Sequence, residues 1–294
     1  MKKAVEIKGM AKVNLGLDVL RRRENGYHDV KMVMQSVNLY DVLKFETAKE
    51  AGIKICCNTG ELPLDDGNLI YKAARLFFEQ TGIDGAVSIY LEKNIPIAAG
   101  MAGGSTDAAA TLLALNTLYE TGLSKEELAN IGVKIGADVP YCIYGGTYLS
   151  EGIGEVLSPI ENDINCYIVI AKPEFGVSTK YVYDNLHVET IDKHPDIDGM
   201  IEFIRTGDLK GMASKMENIL ETVTVKEYPQ IEEMKQCLIE NGALNALMSG
   251  SGPTVFGIFE KKEIAEKAYG ELKMTGLVKQ GCVTTFANET GIIE

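Results

Sequence analysis

Apolar and polar residues alternate along the first part of the chain, which is the pattern of a β-strand with one buried face. The alternation covers residues 11–19, where Val13, Leu15, Leu17 and Val19 are separated by Lys12, Asn14, Gly16 and Asp18. Side chains two residues apart on a strand lie about 7 Å apart on the same face. We therefore expect Lys12 and Asn14 to point the same way.

The rest of the first half predicts a mixture of strands and helices. Strand patterns cover residues 30–46, 52–58 and 85–96, whereas residues 68–80 have apolar positions at helical spacing. Ser124 and Glu127 predict a capping box that opens another helix. Residues 136–140 predict a short loop, because Pro140 disfavours helical backbone at the residue before it.

The second half has a different order of elements. A strand over 166–171 is followed by mostly helical sequence, strands over 243–248 and 255–260, a helix over 261–274 and a strand near 282–287. This order is that of a split β-α-β sandwich. The predicted fold class is therefore α+β with two domains, 1–160 and 161–294.

The charge balance narrows the range of partners. The chain carries 29 Lys and Arg against 42 Asp and Glu, a net charge of −13. Such a surface repels nucleic acid and anionic lipid, so an anionic ligand needs a local cluster of N–H groups and cations. We expect no nucleic-acid partner and, without a long apolar stretch, no membrane partner. The six cysteines fit no metal or disulfide pattern, which predicts reduced thiols and a cytoplasmic protein.

A glycine-rich segment carries the clearest chemical signal. Residues 96–107 read PIAAGMAGGSTD and precede a long apolar helix pattern. Glycines allow close approach of the backbone, and the start of a helix offers unpaired N–H groups that suit phosphate. The alternative is a plain turn before a helix capped by Ser105, Thr106 or Asp107. The segment has neither the G-x-x-x-x-G-K-[ST] nor the G-x-G-x-x-G arrangement.

Other candidate residues are weak when taken singly. Lys12 alone is typical of a solvated strand face, and Asp138 of a turn aspartate. Tyr27 and His28 follow an Asn-Gly turn and would suit the shoulder of a hairpin. Residues 249–253, SGSGP, could form only a tight hairpin.

Three segments together resemble the GHMP small-molecule kinase superfamily. They are AKVNL at 11–15, the glycine-rich segment at 96–107 and SGSGPT at 249–254. NGYH at 25–28 and GADVP at 136–140 resemble more narrowly the branch that phosphorylates a cytidine-diphosphate-linked methylerythritol in the non-mevalonate isoprenoid pathway. Met101 and Thr106 depart mildly from the usual loop and keep its size and hydroxyl.

The resemblance implies a fold and a reaction. An N-terminal α/β domain and a ferredoxin-like C-terminal domain would enclose the active site in the cleft between them. ATP would be the co-substrate with Mg²⁺, and Ser105 would lie near the metal, whose other ligands stay unassigned. Asp138 would be the catalytic base and Lys12 its partner. The residues implied for ATP binding are Pro96, Gly100, Met101, Ala102, Gly103, Gly104, Ser105 and Thr106.

The resemblance also implies a substrate pocket. Its residues would be Asn14, Tyr27, His28 and Tyr181, with Gly250, Ser251 and Gly252 forming the third glycine motif. The partners would be small molecules only, ATP and the C2 hydroxyl of the cytidylyl alcohol, on a monomer or homodimer. Three alternatives stay open: a homoserine or mevalonate type of kinase, a phosphorylating decarboxylase, and a non-catalytic ligand sensor on the same fold.

Overall fold

The computed structural model describes residues 3–50, 52–287 and 291–293. The strands of the first half are β1 (Ala4–Arg22), β2 (His28–Thr47), β3 (Gly52–Cys57), β4 (Ala86–Glu92), β5 (Thr147–Gly152) and β6 (Val156–Pro159). The helices of that half are α1 (Leu69–Thr81), α2 (Gly103–Leu118), α3 (Lys125–Gly132) and α4 (Val139–Tyr144).

These strands form the first sheet around the long strand β2. The strand order is β11-β1-β2-β4-β3, where β11 (Gly291–Ile293) is the returning end of the chain. The first part of β2 also pairs with β5, and β5 with β6. α1 begins where Asn68 Oδ1 accepts a hydrogen bond from the Ile70 N–H at 2.9 Å, and it ends at left-handed Gly82.

The second half builds a separate antiparallel sheet. Its strands are β7 (Tyr167–Lys172), β8 (Asn245–Met248), β9 (Val255–Phe259) and β10 (Gln280–Thr285). Its helices are α5 (Thr179–Asp184), α6 (Ile197–Arg205), α7 (Leu209–Ser214), α8 (Glu221–Glu227), α9 (Gln230–Glu240) and α10 (Lys262–Met274), with a 3-10 turn at Val188–Thr190. The strand order β10-β7-β9-β8 is that of the split β-α-β sandwich, which confirms the predicted fold class.

The two sheets share part of one hydrophobic core. Val13 of β1 and Val33 of β2 belong to the same buried cluster as Ile170 of β7 and Phe256 of β9. Asn162 in the connecting segment donates hydrogen bonds to Gln35 Oε1 at 3.0 Å and to Thr147 Oγ1 at 3.1 Å. The connection between the halves is therefore fixed to the first sheet.

Three local expectations were wrong. Residues 11–19 are buried on both faces rather than one, because the glycine-rich segment covers Lys12, α6 covers Gly16 and His194 contacts Asp18. α2 begins at Gly103, so Ser105, Thr106 and Asp107 lie inside it rather than capping it. Residues 139–140 open α4 instead of ending a loop, since proline is tolerated in the first turn of a helix.

The Ser124–Glu127 capping box is confirmed, with both reciprocal hydrogen bonds present. All six cysteines lie in the described residues and are free thiols. Among the described helices, none is long and apolar enough to cross a membrane.

Candidate active site

A cleft of about 1080 Å³ opens between β1, the glycine-rich segment, the start of α4 and α5. Most of the predicted site residues line it: Lys12, Asn14, Tyr27, His28, Pro96, Gly100, Met101, Ala102, Gly103, Gly104, Ser105, Asp138, Gly250 and Ser251. Thr106, Tyr181 and Gly252 are outside its lining. The three segments that carry the sequence resemblance are thus brought to one cavity.

The glycine loop, residues 96–102, wraps the entry to α2. Ala98, Gly100 and Ala102 all have positive φ, at 50°, 73° and 56°. This left-handed backbone leads directly into the first turn of α2, whose N–H groups have no partner within the helix. With the positive end of the helix dipole, these groups form a site suited to an anion such as phosphate.

Lys12 is buried at the centre of the cleft. Its Nζ donates hydrogen bonds to Asn14 Oδ1 at 2.7 Å and to the Gly100 carbonyl at 3.0 Å. The first contact confirms that Lys12 and Asn14 share a face. Burial lowers the pKa of Lys12, while the charge of Asp138 acts in the opposite direction.

Asp138 lies directly before α4 and faces the cleft. Within the described residues its carboxylate makes no hydrogen bond, and no ion pair within 4 Å joins it to Lys12. Its charge is felt by Lys12 and by Tyr183, whose pKa is raised mainly by burial and further by Asp138. The carboxylate is therefore available to a ligand in the cleft.

The third glycine motif packs against the glycine loop. Ser249 Oγ donates to the Gly100 carbonyl at 3.0 Å, and Ser251 Oγ lies 2.8 Å from Thr179 Oγ1. Asn218 Nδ2 holds the other side by donating to the Met248 and Gly250 carbonyls, both at 2.8 Å. This motif therefore joins the two halves of the molecule at the floor of the cleft.

One end of the cleft is aromatic. The rings of His28 and Tyr183 lie 5.2 Å apart and tilted by 41°, and Tyr27 next to them is 60% exposed. His28 Nε2 is buried and has no hydrogen-bond partner among the residues that the structure describes. Burial, followed by the charge of Arg22, lowers the pKa of His28, which favours the neutral ring.

Tyr181 is not the second ring of this aromatic end. The residues of α5 that line the cleft are Thr179, Lys180, Tyr183 and Asp184. They share one face of the helix, and two residues of offset carry Tyr181 to another face. Its hydroxyl lies 3.4 Å from Glu227 instead. Tyr183 is the residue that the sequence reasoning missed, although the same STKYVY segment contains it.

Two residues predicted in the glycine motifs face away from the cleft. Thr106 is fully buried, and its Oγ1 donates to the Met10 carbonyl of β1 at 2.8 Å. A side chain at Gly252 would meet Met248 Sδ at 2.5 Å rather than a ligand. Thr106 and Gly252 therefore pack against the protein interior and not against the cleft.

The opposite end of the cleft is bounded by residues that sequence reasoning did not single out. Leu62, Pro63, Asn68 and Leu69 line it next to Gly104, whose added Cβ would lie 3.3 Å from Leu69 Cδ1. No motif marks these residues, because they come from a loop and a helix start whose position only the fold supplies.

Comparison with known proteins identifies the family. Residues 68–146 match the GHMP kinases N terminal domain, and residues 200–276 match the GHMP kinases C terminal family. The chain is 51% identical over 282 residues to the 4-diphosphocytidyl-2-C-methyl-D-erythritol kinase of Lachnoclostridium phytofermentans. The alignment covers 96% of this chain and 97% of that protein. The chain belongs to the 4-diphosphocytidyl-2-C-methyl-D-erythritol kinase family.

Two other members of this family also match the chain over most of its length. The Lachnospira eligens kinase of the same name is 50% identical over 94% of this chain and 96% of its own length. A crystal structure of a 4-(cytidine 5'-diphospho)-2C-methyl-D-erythritol kinase superposes with a TM-score of 0.82 at 32% identity, over 96% of this chain and 99% of that one.

The wider GHMP fold is shared by kinases of other names. Homoserine kinase from Cytophaga hutchinsonii has a TM-score of 0.82 at 21% identity, covering 100% of this chain and 98% of that one. Mevalonate kinase from L. major has a TM-score of 0.76 at 18% identity, with 99% of each chain covered. At these identities the likeness concerns the fold alone.

Proposed function

We propose that this chain transfers the γ-phosphoryl group of ATP to the C2 hydroxyl of 4-diphosphocytidyl-2-C-methyl-D-erythritol, here called the cytidylyl alcohol, yielding ADP and the 2-phosphate. The observation that carries the proposal is one cleft that joins a phosphate-binding loop, the Lys12 and Asp138 pair and an aromatic end. The relatives at about half identity carry the name of this reaction, which supports the substrate assignment.

ATP would lie across the glycine loop. The N–H groups at the start of α2 and the close approach allowed at Gly103 and Gly104 suit its phosphates. The neighbouring apolar end, with Leu62, Pro63 and Leu69, suits the adenine ring. Together these features leave the γ-phosphate near the centre of the cleft, where Lys12 and Asp138 lie.

Asp138 would accept the proton of the attacking hydroxyl. A carboxylate that faces the cleft without an internal hydrogen bond is free to do so. Lys12, held by Asn14 and Gly100, would stabilise charge on the transferred group. Because phosphoryl transfer has a loose transition state, positioning and charge should contribute more than proton removal.

A magnesium ion fits the oxygen atoms of this site. The Ser105 hydroxyl lines the cleft and has no hydrogen-bond partner within the described chain. Mg²⁺ usually takes one or two protein oxygens and completes its shell with phosphates and water. This agrees with the finding that no group of three metal-ligating side chains occurs among the described residues. When bound with ATP, the ion would neutralise phosphate charge, with Ser105 as its neighbour.

The aromatic end would hold cytosine. Tyr27 and Tyr183 offer rings for stacking, and neutral His28 offers one donor and one acceptor to the base edge. Tyr183 takes the role that the sequence had suggested for Tyr181. Small alcohols such as homoserine or mevalonate have no base to occupy this end, which favours the cytidylyl alcohol.

The test is product analysis. The reaction mixture contains enzyme, ATP, Mg²⁺ and the cytidylyl alcohol, and phosphorus NMR should detect ADP and a new phosphomonoester on C2. Chelation of the metal should abolish formation of both products. ADP formation without a new ester on the alcohol would contradict the proposal and favour an ATPase side reaction. Binding of both ligands without turnover would favour the ligand sensor.

A further inference from the structure

Three buried charged side chains lie beside the glycine loop, and two of them, Lys93 and Asp107, also line the cleft. Lys93 Nζ donates to Asp41 Oδ2 and, at 2.7 Å, to Asp107 Oδ2. The side chains of Lys93, Asp41 and Asp107 are 5%, 0% and 4% exposed. Burying three charges is costly unless they are paired and hydrogen-bonded, so the cluster needs a reason to be there.

The cluster contacts both ends of the glycine loop. Asp41 Oδ1 accepts hydrogen bonds from the backbone N–H groups of Asn94 and Ile95, at 2.6 and 2.8 Å, directly before the loop. Asp107 lies in the second turn of α2, the helix that directly follows the loop. Lys93 Nζ also lies against the start of α2, 3.0 Å from where a Cβ on Gly103 would be. A continuous chain of hydrogen bonds therefore runs from β2 to both flanks of the loop.

The loop between these flanks is in a conformation that needs support. Ala98 and Ala102 have left-handed backbone, at φ of 50° and 56°. Such backbone is unfavourable for residues with a Cβ and persists where the surroundings hold it. The middle of the loop is held by Lys12 and Ser249 through the Gly100 carbonyl. Its two ends are held by the buried cluster.

We propose that Lys93, bridging Asp41 and Asp107, is a positioning device that keeps the glycine loop shaped for ATP through the hydrogen bonds that flank the loop. The inference rests on the proposed function of the loop as a phosphate site. The sequence suggested only a capping role for Asp107 and none for Asp41 or Lys93, since Asp41 lies 52 residues before Lys93 in the chain.

Asp107 is the member of the cluster that costs stability. Its Oδ1 is buried and, within the described part of the chain, accepts no hydrogen bond. Burial raises the pKa of Asp107 well above its usual range, against the attraction of Lys93. Replacing Asp107 with an apolar side chain of similar size should therefore leave the folded protein at least as stable. If Asp107 positions the glycine loop, the same replacement should weaken ATP binding.

The experiment measures ATP affinity by calorimetry alongside thermal unfolding. Asp107→Leu should keep or raise the melting temperature, because it removes a buried carboxylate and leaves Lys93 paired with Asp41. It should weaken ATP binding about tenfold or more, the scale of one lost charge-assisted hydrogen bond. Asp107→Asn keeps an acceptor for Lys93 and should restore ATP affinity to within about threefold of the wild type.

Two further variants and a second ligand complete the test. Lys93→Met with Asp107→Asn removes the bridge at unchanged formal charge, and it should lose ATP affinity as Asp107→Leu does even if that variant does not fold. Thr111→Val, which removes a buried hydroxyl one turn further along α2, is the matched control and should bind ATP normally. Affinity for the cytidylyl alcohol should stay unchanged in all of them.

Unchanged ATP affinity in folded Asp107→Leu would overturn the proposal. Equal losses in Asp107→Asn and Asp107→Leu would also overturn it, because they would point to a direct charge contact with the nucleotide. Failure of the wild type to phosphorylate the cytidylyl alcohol would reject the proposed function alone, since the ATP titrations do not depend on that substrate.

Discussion

The buried side chain of Lys12 links three parts of the active site. Its ammonium contacts Asn14 on the same strand and the Gly100 carbonyl in the glycine loop, and it feels the charge of Asp138. Burial in water-poor surroundings strengthens each of these interactions. This arrangement suits a group that must stabilise developing charge without moving.

Replacement of the carboxylate tests its catalytic role. Asp138→Asn keeps the shape and removes the proton acceptor and its charge, so kcat should fall about 10²- to 10⁴-fold. The KM values for both substrates should change little. Lys12→Met should also lower kcat, and the double variant should be no worse than the worse single one if the two act as a unit. An effect of Asp138→Asn below about tenfold would make it a structural residue.

The two tyrosines of α5 provide a matched pair of variants. Tyr183→Ala removes a ring from the aromatic end and should raise the KM for the cytidylyl alcohol about 5- to 150-fold, as expected for loss of one base-stacking contact. Tyr181→Ala removes a ring of the same type from outside the cleft and should leave it unchanged. Steady-state kinetics compares them, and the reverse result would restore the sequence-based assignment of Tyr181.

His28 predicts a pH dependence of substrate binding. Burial lowers its pKa below the ordinary value of 6.5, so above pH 6.5 the ring is neutral and can accept a hydrogen bond. Because the pKa is lower in the folded than in the unfolded chain, the neutral ring's contribution to stability is present above pH 6.5 and is lost as the pH falls through the folded pKa.

The KM for the cytidylyl alcohol should therefore rise as the pH is lowered below 6.5. In His28→Asn, which keeps a donor and an acceptor but does not titrate, that rise should disappear. The comparison of the two pH profiles separates His28 from the titration of the phosphates. Parallel profiles for the two proteins would contradict this role.

At the scale of elements, sequence patterns placed most strands and helices and failed where tertiary contacts decide. The helical spacing of residues 68–80 predicted α1 to within a residue at each end. Pro140, by contrast, opens α4 instead of preventing it. The capping assignment of Ser105 failed because left-handed Ala102, three residues before it, is the N-cap of α2.

The contact between the two glycine loops makes a prediction at this scale. A Cβ on Gly100 would lie 2.2 Å from the Ser249 carbonyl oxygen, and the residue has φ of 73°. Gly100→Ala should cost about 2–4 kcal/mol in the free energy of unfolding, from backbone strain plus overlap, and should weaken ATP binding.

Gly82→Ala supplies the control for strain alone. Gly82 has φ of 68° at the end of α1, and nothing lies within 4 Å of its added Cβ. It should cost about 1 kcal/mol and leave ATP binding unchanged. Denaturant titration measures the loss in the free energy of unfolding for both variants. Equal losses would contradict a contribution from the overlap at Gly100.

At the scale of the whole molecule, the cleft depends on both halves of the chain. Lys12 and Asp138 come from the first half, whereas Tyr183 and Gly250 come from the second. The division into domains at residue 160 stays a prediction. β11 pairs with β1 and the two sheets share a buried cluster, so the halves are joined by more than the connecting segment.

Sequence reasoning found the parts of the site that lie in contiguous motifs. Lys12 with Asn14, the glycine loop and Asp138 were all placed in the cleft as expected. It missed Tyr183, because the helical phase of a six-residue element is not readable from its sequence. It also missed the Asp41, Lys93 and Asp107 cluster, because pairing between distant residues is fixed by the fold alone.

The most direct test of the central claim is a comparison of kcat/KM for three alcohols with the same enzyme, ATP and Mg²⁺. The substrates are the cytidylyl alcohol, homoserine and mevalonate. The aromatic end of the cleft predicts that the cytidylyl alcohol is preferred by at least about tenfold to a hundredfold over each of the others, the range that one stacked base contributes. Tyr183→Ala should reduce that preference. Faster phosphorylation of homoserine or mevalonate would contradict the assignment.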